Sequence, residues 1–352
     1  MLRPHASPRG IHGATQHPRF VRHDTSLTAA IPVFNGERFL PATLDCLARQ
    51  TRRPDRLVVF DNGSTDSTPE IVRSFNAIPT EFRRNETNLG VLGNGNRCLG
   101  LAGETRFLHL IMADDLVTPR FYERLIPELE GIDGPALAYS FHDEIDQHDR
   151  VIGPAVRRPT SPTARRVPLN EFLGRQAELA TVLLPGVVLK TDFSPPLCLF
   201  EDMPQVADGL FLADWARRCG RVVEVPEYLC RFRLHPFNAS SRHVNDLQSF
   251  VVDEWLLARR VAGWIDEPAP ARMLRRLKLR CLLGARTQVK IDMVHTDRPA
   301  YAREIRARQR ELGGILSVLV GWASVRLRDA ARRMAGRPGR AEELNKTTQS
   351  NP

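Results

Sequence analysis

The feature that most constrains the fold of this chain is a repeated alternation of short apolar runs and helical stretches. Leu27–Phe34 is the first apolar run, and the runs at 57–60, 80–84 and 107–111 follow it, each after a stretch of helical periodicity. Repeated strand–helix units pack as layers of helices on a mostly parallel sheet. The pattern therefore predicts an α/β fold with a mostly parallel sheet flanked by helices.

The rest of the chain contains further short strands and helices, and its last part is predicted to be entirely helical. We predict strands over 136–141, 187–189, 222–225 and 229–234, helices over 169–184 and 207–219, and a loop over 153–168. Beyond about residue 246 only helical periodicity remains. The predicted organisation is a flexible leader (1–25), an α/β domain (26–245), a basic helical extension (246–340) and a flexible tail (341–352).

The positive charge of the chain is concentrated in the predicted extension. The whole chain has 50 lysine and arginine residues against 41 aspartate and glutamate residues. Residues 251–340 hold 20 basic and 9 acidic side chains, but only four aromatic ones. A nucleic-acid-binding face interleaves basic charge with aromatic side chains. We therefore expect no nucleic-acid partner.

An apolar stripe lies near the end of the extension. It consists of Ile315, Val318, Leu319, Trp322 and Val325. This spacing is typical of one face of a helix, and four arginines follow it between residues 326 and 333. The stripe either packs on the α/β domain or attaches the chain to an anionic membrane surface. The sequence leaves both alternatives open.

The sequence predicts a cytoplasmic protein. The first 25 residues contain no apolar core of a secretory signal, and the six cysteines are scattered without metal-type spacing. The apolar run Ile315–Val325 is too short to span a bilayer. A location on the inner face of the cell membrane would follow if the stripe binds lipid.

Acidic residues follow two of the predicted strands. Asp61 and Asp66 lie in a turn-rich loop after one strand, and Asp114-Asp115 follow another. Ligands bind at the carboxyl edge of such sheets, and Mg²⁺ takes one or two carboxylates together with phosphate oxygens. The alternatives are an ordinary turn at the first loop and an acidic helix N-terminus at the second. Both loops together favour a site.

Four motifs carry a resemblance to a known family. They are Ile31-Pro32-Val33-Phe34-Asn35, Asp61-Asn62-Gly63-Ser64-Thr65-Asp66, Asn88-Leu89-Gly90 with Gly93-Asn94-Gly95-Asn96, and Ala113-Asp114-Asp115. Their order and spacing resemble family 2 glycosyltransferases of the GT-A fold, over about residues 26–243. The resemblance implies an inverting, hexosyltransferase-type enzyme that transfers a sugar from a nucleotide diphosphate sugar donor to an acceptor hydroxyl. It also implies Mg²⁺ or Mn²⁺ as cofactor, and a lipid-linked acceptor is compatible with it.

The resemblance further implies roles for individual residues. The implied nucleotide-binding residues are Pro32, Phe34, Asn35, Asp61, Asn62, Asn88, Gly90, Asp114 and Arg233. The implied metal ligands are Asp114, Asp115 and His235. Arg233 and His235 belong to a segment, Phe232-Arg233-Leu234-His235 with Ser240-Ser241, that resembles the end of the family's catalytic domain.

Asp208 is the implied general base, because Val206-Ala207-Asp208-Gly209 resembles the family's acceptor-side acidic motif. An inverting transfer needs one base on the acceptor hydroxyl. Asp208 could instead be an ordinary first-turn acid of its helix. The rival carboxylates are Glu201, Asp202 and Asp214.

Three positions depart from the family pattern. Asn62 stands where a second acidic residue is usual, Met112 stands where the metal motif usually begins with Asp, and Ala207 stands where Glu is usual. Two other functions stay open: a nucleotidyltransferase, which shares the α/β architecture and the metal carboxylates, and a sugar- or nucleotide-binding protein with a decayed site, which the three departures keep open. The first should have a lysine-containing, glycine-rich loop, which residues 26–60 lack. We predict His109, within an apolar strand, as a hydrogen-bonded core residue.

Overall fold

The computed structural model describes residues 26–154, 159, 161–180, 182–191, 198–199, 202–235 and 246–334. The predicted leader (1–25) and tail (341–352) lie outside these residues, as do Glu201 and the Ser240-Ser241 pair.

The described chain contains one sheet of ten strands. The strands are β1 (Leu27–Val33), β2 (Arg56–Asp61), β3 (Thr80–Arg84), β4 (Phe107–Leu110), β5 (Leu116–Val117), β6 (Ala136–Ile145), β7 (Val151–Pro154), β8 (Arg165–Val167), β9 (Val187–Lys190) and β10 (Val222–Arg233). Their order is β3-β2-β1-β4-β9-β6-β10-β5, with β7 paired to β6 and β8 paired to β10.

The direction of the strands divides the sheet into two parts. β3, β2, β1 and β4 run parallel, as the strand–helix alternation predicts. β9 is antiparallel to both of its neighbours, and β10 is parallel to β6 but antiparallel to β5 and β8. The sheet is therefore mixed. The short strands β7 and β8 lie at the two ends of the stretch 153–168, which the sequence analysis predicted as a loop.

Nine α-helices accompany the sheet in the described residues. They are α1 (Leu40–Ala48), α2 (Thr68–Ser74), α3 (Gly90–Leu99), α4 (Phe121–Glu130), α5 (Leu169–Ala177), α6 (Ala207–Cys219), α7 (Asp253–Ala262), α8 (Ala269–His295) and α9 (Pro299–Met334). α5 ends seven residues before the predicted limit of 184, and Leu179 beyond it has a positive φ of 59°. That conformation cannot continue a right-handed helix.

The helices cover both faces of the sheet, and the core has a layer on each. Side chains alternate between faces along a strand. Ala29 and Ile31 of β1 pack with the apolar side chains of α1, α2 and α4. Ala30 packs on the other face with those of α3, α5 and α6. This α/β/α arrangement confirms the predicted GT-A-type fold class.

The C-terminal helices form a second layer beyond α5 and α6. Leu257 and Val261 of α7 pack with Leu173 of α5 and Leu210 of α6. α8 and α9 pack on each other, and α9 is interrupted at Gly314, whose φ of 73° lies in the left-handed region. In the described part of the chain, no helix is long and apolar enough to cross a membrane.

Candidate functional site

The acidic pair lies directly after β4, at the carboxyl edge of the parallel strands. The Asp115 side chain is buried, and its Oδ1 accepts a hydrogen bond from the Arg233 backbone N–H at 2.9 Å. Burial, and next the neighbouring Asp114 carboxylate, raise the pKa of Asp115 well above its ordinary value. Asp115 Oδ2 is buried without a hydrogen-bond partner among the described residues. A carboxylate in this state is stabilised by an added cation.

Arg233, the last residue of β10, holds the acidic loop in place. Its side chain is buried, and its Nε donates to the Asp114 carbonyl oxygen at 2.6 Å. Its Nη1 donates to the Asp146 carbonyl oxygen at 3.2 Å and also contacts the Asp149 carboxylate. The guanidinium lies 4.7 Å from the centre of the Phe39 ring. Arg233 therefore contacts several protein groups around the predicted nucleotide site.

His235 completes the cluster around Asp114. Its Nε2 lies 2.9 Å from Asp114 Oδ2, and its ring centre lies 4.7 Å from that of Phe39. No group of three His, Cys, Asp or Glu side chains is already arranged to hold a metal ion in the part of the chain that the structure describes. The orphaned Oδ2 of Asp115 beside Asp114 nevertheless fits a divalent cation that takes its remaining ligands from a diphosphate or from water.

A second group of predicted residues lies where β1 and β2 end. Asn35 Oδ1 accepts from the Thr65 backbone N–H at 2.9 Å, which links the loops after the two strands. Asp61 is buried, and its Oδ1 accepts from the Ser64 N–H at 3.0 Å. Its Oδ2 forms an ion pair with Arg84 at 3.0 Å. Phe34 is exposed and Pro32 is partly buried beside these loops.

Asn62 is the centre of a hydrogen-bond network that an acidic side chain could not form. Its Nδ2 donates to Asn88 Oδ1 at 2.8 Å and to the Gly90 carbonyl oxygen at 3.1 Å. Its Oδ1 accepts from Asn85 Nδ2 at 3.0 Å and from the Leu89 N–H at 2.8 Å. A carboxylate has no proton to donate to the first two acceptors. The departure from the family pattern at this position is therefore matched to its surroundings.

Asp208 begins the α6 helix in its first turn. It is half-buried, and its Oδ1 accepts from the Gly209 N–H at 2.7 Å. Burial raises its pKa above the ordinary value. Met112 and Ala207 belong to one apolar cluster, so the start of α6 lies on the same side of the sheet as the segment before Asp114. Among the described residues no hydrogen bond or ion pair joins Asp208 to the acidic pair.

The described rival carboxylates have cationic partners. Asp202 pairs with Arg260 at 3.0 Å. Asp214 pairs with Arg217 at 2.7 Å and with Arg218 at 2.6 Å.

Several contributing residues were missed by the sequence analysis. Arg84 ends β3 and reaches Asp61, so the rule that polar residues at strand ends form sites would have found it. Phe39 and Asp149 gave no such signal, because their contacts with Arg233 join distant parts of the chain. His109 is a buried core residue as predicted, with its ring nitrogens 2.7 Å from Tyr122 Oη and 2.9 Å from the Pro185 carbonyl oxygen.

Comparison with known proteins identifies the family. Residues 28–178 match the sequence profile of glycosyl transferase family 2. The chain contains a family 2 glycosyltransferase domain. This match covers the parallel strands and both loops that hold Asp61 and Asp114.

The family 2 domain also has similar curated relatives. A PGL/p-HBAD biosynthesis glycosyltransferase of Mycobacterium tuberculosis (strain ATCC 25177 / H37Ra) is 35% identical over 133 residues, which are 37% of this chain and 47% of that protein. A validoxylamine A glucosyltransferase of Streptomyces hygroscopicus subsp. limoneus is 43% identical over 60 residues, which are 16% of this chain and 13% of that protein. The matched stretch thus spans less than half the length of either relative.

Among solved structures, S. aureus TarS 1-349 in complex with UDP-GlcNAc is similar in fold. The two structures have a TM-score of 0.56 and 16% sequence identity, over 83% of this chain and 90% of that one. At this identity the likeness shows the fold alone.

Proposed function

We propose that this chain is an inverting, hexosyltransferase-type enzyme that transfers a sugar from a nucleotide diphosphate sugar to an acceptor hydroxyl in glycoconjugate synthesis. The observation that carries the proposal is the cluster of Asp114, Asp115, Arg233 and His235, which lies at the same edge of the parallel strands as the loop that holds Asp61. The curated relatives, which are named as glycosyltransferases, support it. The TarS structure, which contains UDP-GlcNAc, supports a nucleotide-sugar donor.

The donor nucleotide would lie on the loops after β1, β2 and β3. Phe34 exposes its ring there, which suits packing against a base or ribose. Asp61 Oδ2, which forms an ion pair with Arg84, would also accept a hydrogen bond from the nucleotide. The other predicted nucleotide-binding residues belong to the same loops or to the strand end before them. Asn62 is hydrogen-bonded to Asn88 and to Gly90. Asn35 is hydrogen-bonded to Thr65, and Pro32 lies three residues before Asn35.

Mg²⁺ or Mn²⁺ would be held by Asp114 and Asp115, with His235 as a further ligand. The bound ion would offset the negative charge that develops on the diphosphate leaving group. His235 would be positioned for this role by its Nε2 atom, which lies 2.9 Å from Asp114 Oδ2. Arg233 would keep the Asp114 main chain in position through its hydrogen bond to the Asp114 carbonyl oxygen.

Asp208 would remove the proton from the acceptor hydroxyl. One carboxylate suffices for inversion, and the raised pKa of Asp208 makes it a stronger base than an exposed aspartate. Because no hydrogen bond or ion pair joins Asp208 to the acidic pair among the described residues, a change of Asp208 would leave the donor-binding loops in place.

We further propose that the enzyme works in the cytoplasm, on the inner face of the cell membrane, where it would meet a lipid-linked acceptor. The apolar stripe supports this location. Ile315, Leu319 and Trp322 of the stripe are 60%, 58% and 51% exposed, whereas Val318 is buried. Most of the stripe therefore does not pack on the family 2 domain.

A thermal-shift screen of nucleoside diphosphates, each with and without Mn²⁺, tests the proposed function. A ligand that binds only the folded state raises the melting temperature. We expect at least one nucleoside diphosphate to raise it in the presence of Mn²⁺ and much less without the ion. No stabilisation by any nucleoside diphosphate would contradict the proposal.

A further inference from the structure

A cavity of about 670 Å³ lies between α7 and α8, on the helical extension. Its α8 wall is formed by residues at positions i, i+3, i+4, i+7, i+8 and i+11, which share one face of a helix. They are Arg272, Arg275, Arg276, Leu279, Arg280 and Leu283. The α7 wall has the same periodicity, from Trp255 through Ala258 and Arg259 to Ala262. One face of α7 and one face of α8 therefore line the cavity.

The cavity combines an apolar floor with arginine guanidinium groups. Trp255, Leu279 and Leu283 are buried and form part of its lining. Five arginines line it, against only two acidic residues, Asp266 and Glu267. Such a lining favours a ligand that carries both an apolar part and a negative charge.

Two of the five arginines are available to a ligand. Arg275 forms a two-bond ion pair with Glu267, and Arg259 donates to the Leu312 carbonyl oxygen. Arg272 donates to the Glu267 carbonyl oxygen at 3.0 Å. Arg276 and Arg280, one turn apart, are exposed and have no hydrogen-bond or ion-pair partner in the part of the chain described. Two guanidinium groups at this spacing suit a phosphate group.

An exposed apolar strip adjoins these two arginines on α8. Met273 and Leu274 are 74% and 67% exposed, and Leu277 is also exposed. An α-helix turns by about 100° per residue. Met273 and Leu277 therefore lie beside Arg276 and Arg280 on the surface of the helix. An anion held by the arginines therefore has apolar surface both inside the cavity and next to its mouth.

We propose that the α7–α8 cavity binds the phosphate headgroup of a membrane lipid, with Arg276 and Arg280 on the phosphate oxygens. Charge complementarity selects this occupant, since residues 251–340 hold 20 basic and 9 acidic side chains. The exposed strip of Met273, Leu274 and Leu277 would contact the apolar region of the same lipid layer. This inference deepens the proposed membrane location by naming a specific site for it.

The test uses the full chain and a soluble lipid phosphate, dihexanoyl phosphatidic acid, below its micelle concentration. Tryptophan fluorescence reports binding, because Trp255 and Trp264 line the cavity. The test variant is R276Q/R280Q, and the matched control is R303Q/R310Q, which removes the same charge from exposed positions of α9 that do not line the cavity. We expect the test variant to bind about tenfold more weakly or worse, and the control to bind like wild type.

Three results would overturn the site. They are the absence of lipid phosphate binding to wild type, an equal loss of affinity in both double variants, and binding of inorganic phosphate as tight as that of the lipid. Equal losses of affinity would show that binding depends on general surface charge and not on the cavity. Equal affinity for inorganic phosphate would show that the site does not recognise a lipid. Stabilisation by a nucleoside diphosphate with Mn²⁺ should be unchanged in R276Q/R280Q, so failure of the cavity site is distinguishable from failure of the proposed transferase function.

Discussion

The Nε2 atom of His235 lies 2.9 Å from the Oδ2 atom of Asp114, although 121 positions separate the two residues in the chain. The contact joins the segment after β10 to the loop after β4. Arg233, two residues before His235, holds the backbone of the same loop through the Asp114 carbonyl oxygen. The end of β10 therefore controls both the side chain and the main chain of the acidic loop.

Substitution of Arg233 by lysine should weaken donor binding. Lysine keeps the positive charge, but it lacks the planar group that reaches the Asp114 and Asp146 carbonyl oxygens together. We expect the KM for the donor to rise about tenfold while kcat changes less. Arg231→Lys, on the same strand, is the control. An unchanged KM for R233K would show that the acidic loop does not depend on this contact.

Asp208→Asn should lower turnover by about 10²- to 10⁴-fold, because positioned general-base catalysis has that size. Donor affinity should stay near the wild-type value, and steady-state kinetics with a separate binding assay measures both. Asp214→Asn is the control, since Asp214 is paired with Arg217 and Arg218. If Asp202→Asn reduced turnover and Asp208→Asn did not, Asp202 would be the base.

Asn62→Asp should destabilise the fold by about 3 kcal/mol, because it removes two donated hydrogen bonds and places a carboxylate against two acceptors. Urea unfolding measures the change. Asn170→Asp is the control, since this exposed amide donates, among the described residues, to the Asp266 carbonyl oxygen alone. Equal free energies of unfolding for N62D and wild type would refute the assigned network.

His109 should make the stability of the protein depend on pH. Burial lowers the pKa of His109 from 6.5 to about 4 in the folded state, so the unfolded chain binds a proton between these values and the folded chain does not. The stability is therefore complete above about pH 6.5 and falls as the pH falls towards 4, by about 3 kcal/mol for this group. Wild type should lose more stability than His109→Gln over this interval.

The control for this pH effect is His148→Gln, at an exposed histidine. It should keep the wild-type pH dependence, because the His148 side chain is in contact with water in the folded chain as in the unfolded chain. Parallel stability curves for H109Q and wild type between pH 6.5 and 4 would contradict the account of His109.

The sequence predicted the elements best where local pattern and burial agree. β3 and α6 have the predicted limits, and α6 ends where Gly220 takes a left-handed φ of 66°. The two strands predicted over 222–234 are one strand, β10, whose register shifts between Glu224 and Cys230. Such irregularities depend on pairing with β6 and have no local signal.

For the site, the sequence could predict which residues lie at strand ends but not what each one contacts. Asp61 and Asp114 follow parallel strands, so their shared edge was predictable. The burial of Arg233 was not, because its partners belong to loops about 85 to 120 positions away. The hydrogen bonds that the Asn62 amide donates could not be predicted either, since they depend on the positions of Asn88 and Gly90 in the folded chain.

The most direct test of the account is Mn²⁺-dependent binding of a nucleoside diphosphate to Asp114→Asn. Asp114 is partly exposed on a loop, so the melting temperature of the variant without ligand should stay close to that of wild type. Isothermal titration should show binding to wild type with Mn²⁺ and loss of that metal-dependent binding in the variant. Full retention of metal-dependent binding by Asp114→Asn would contradict the proposal that this acidic pair holds the metal and the donor diphosphate.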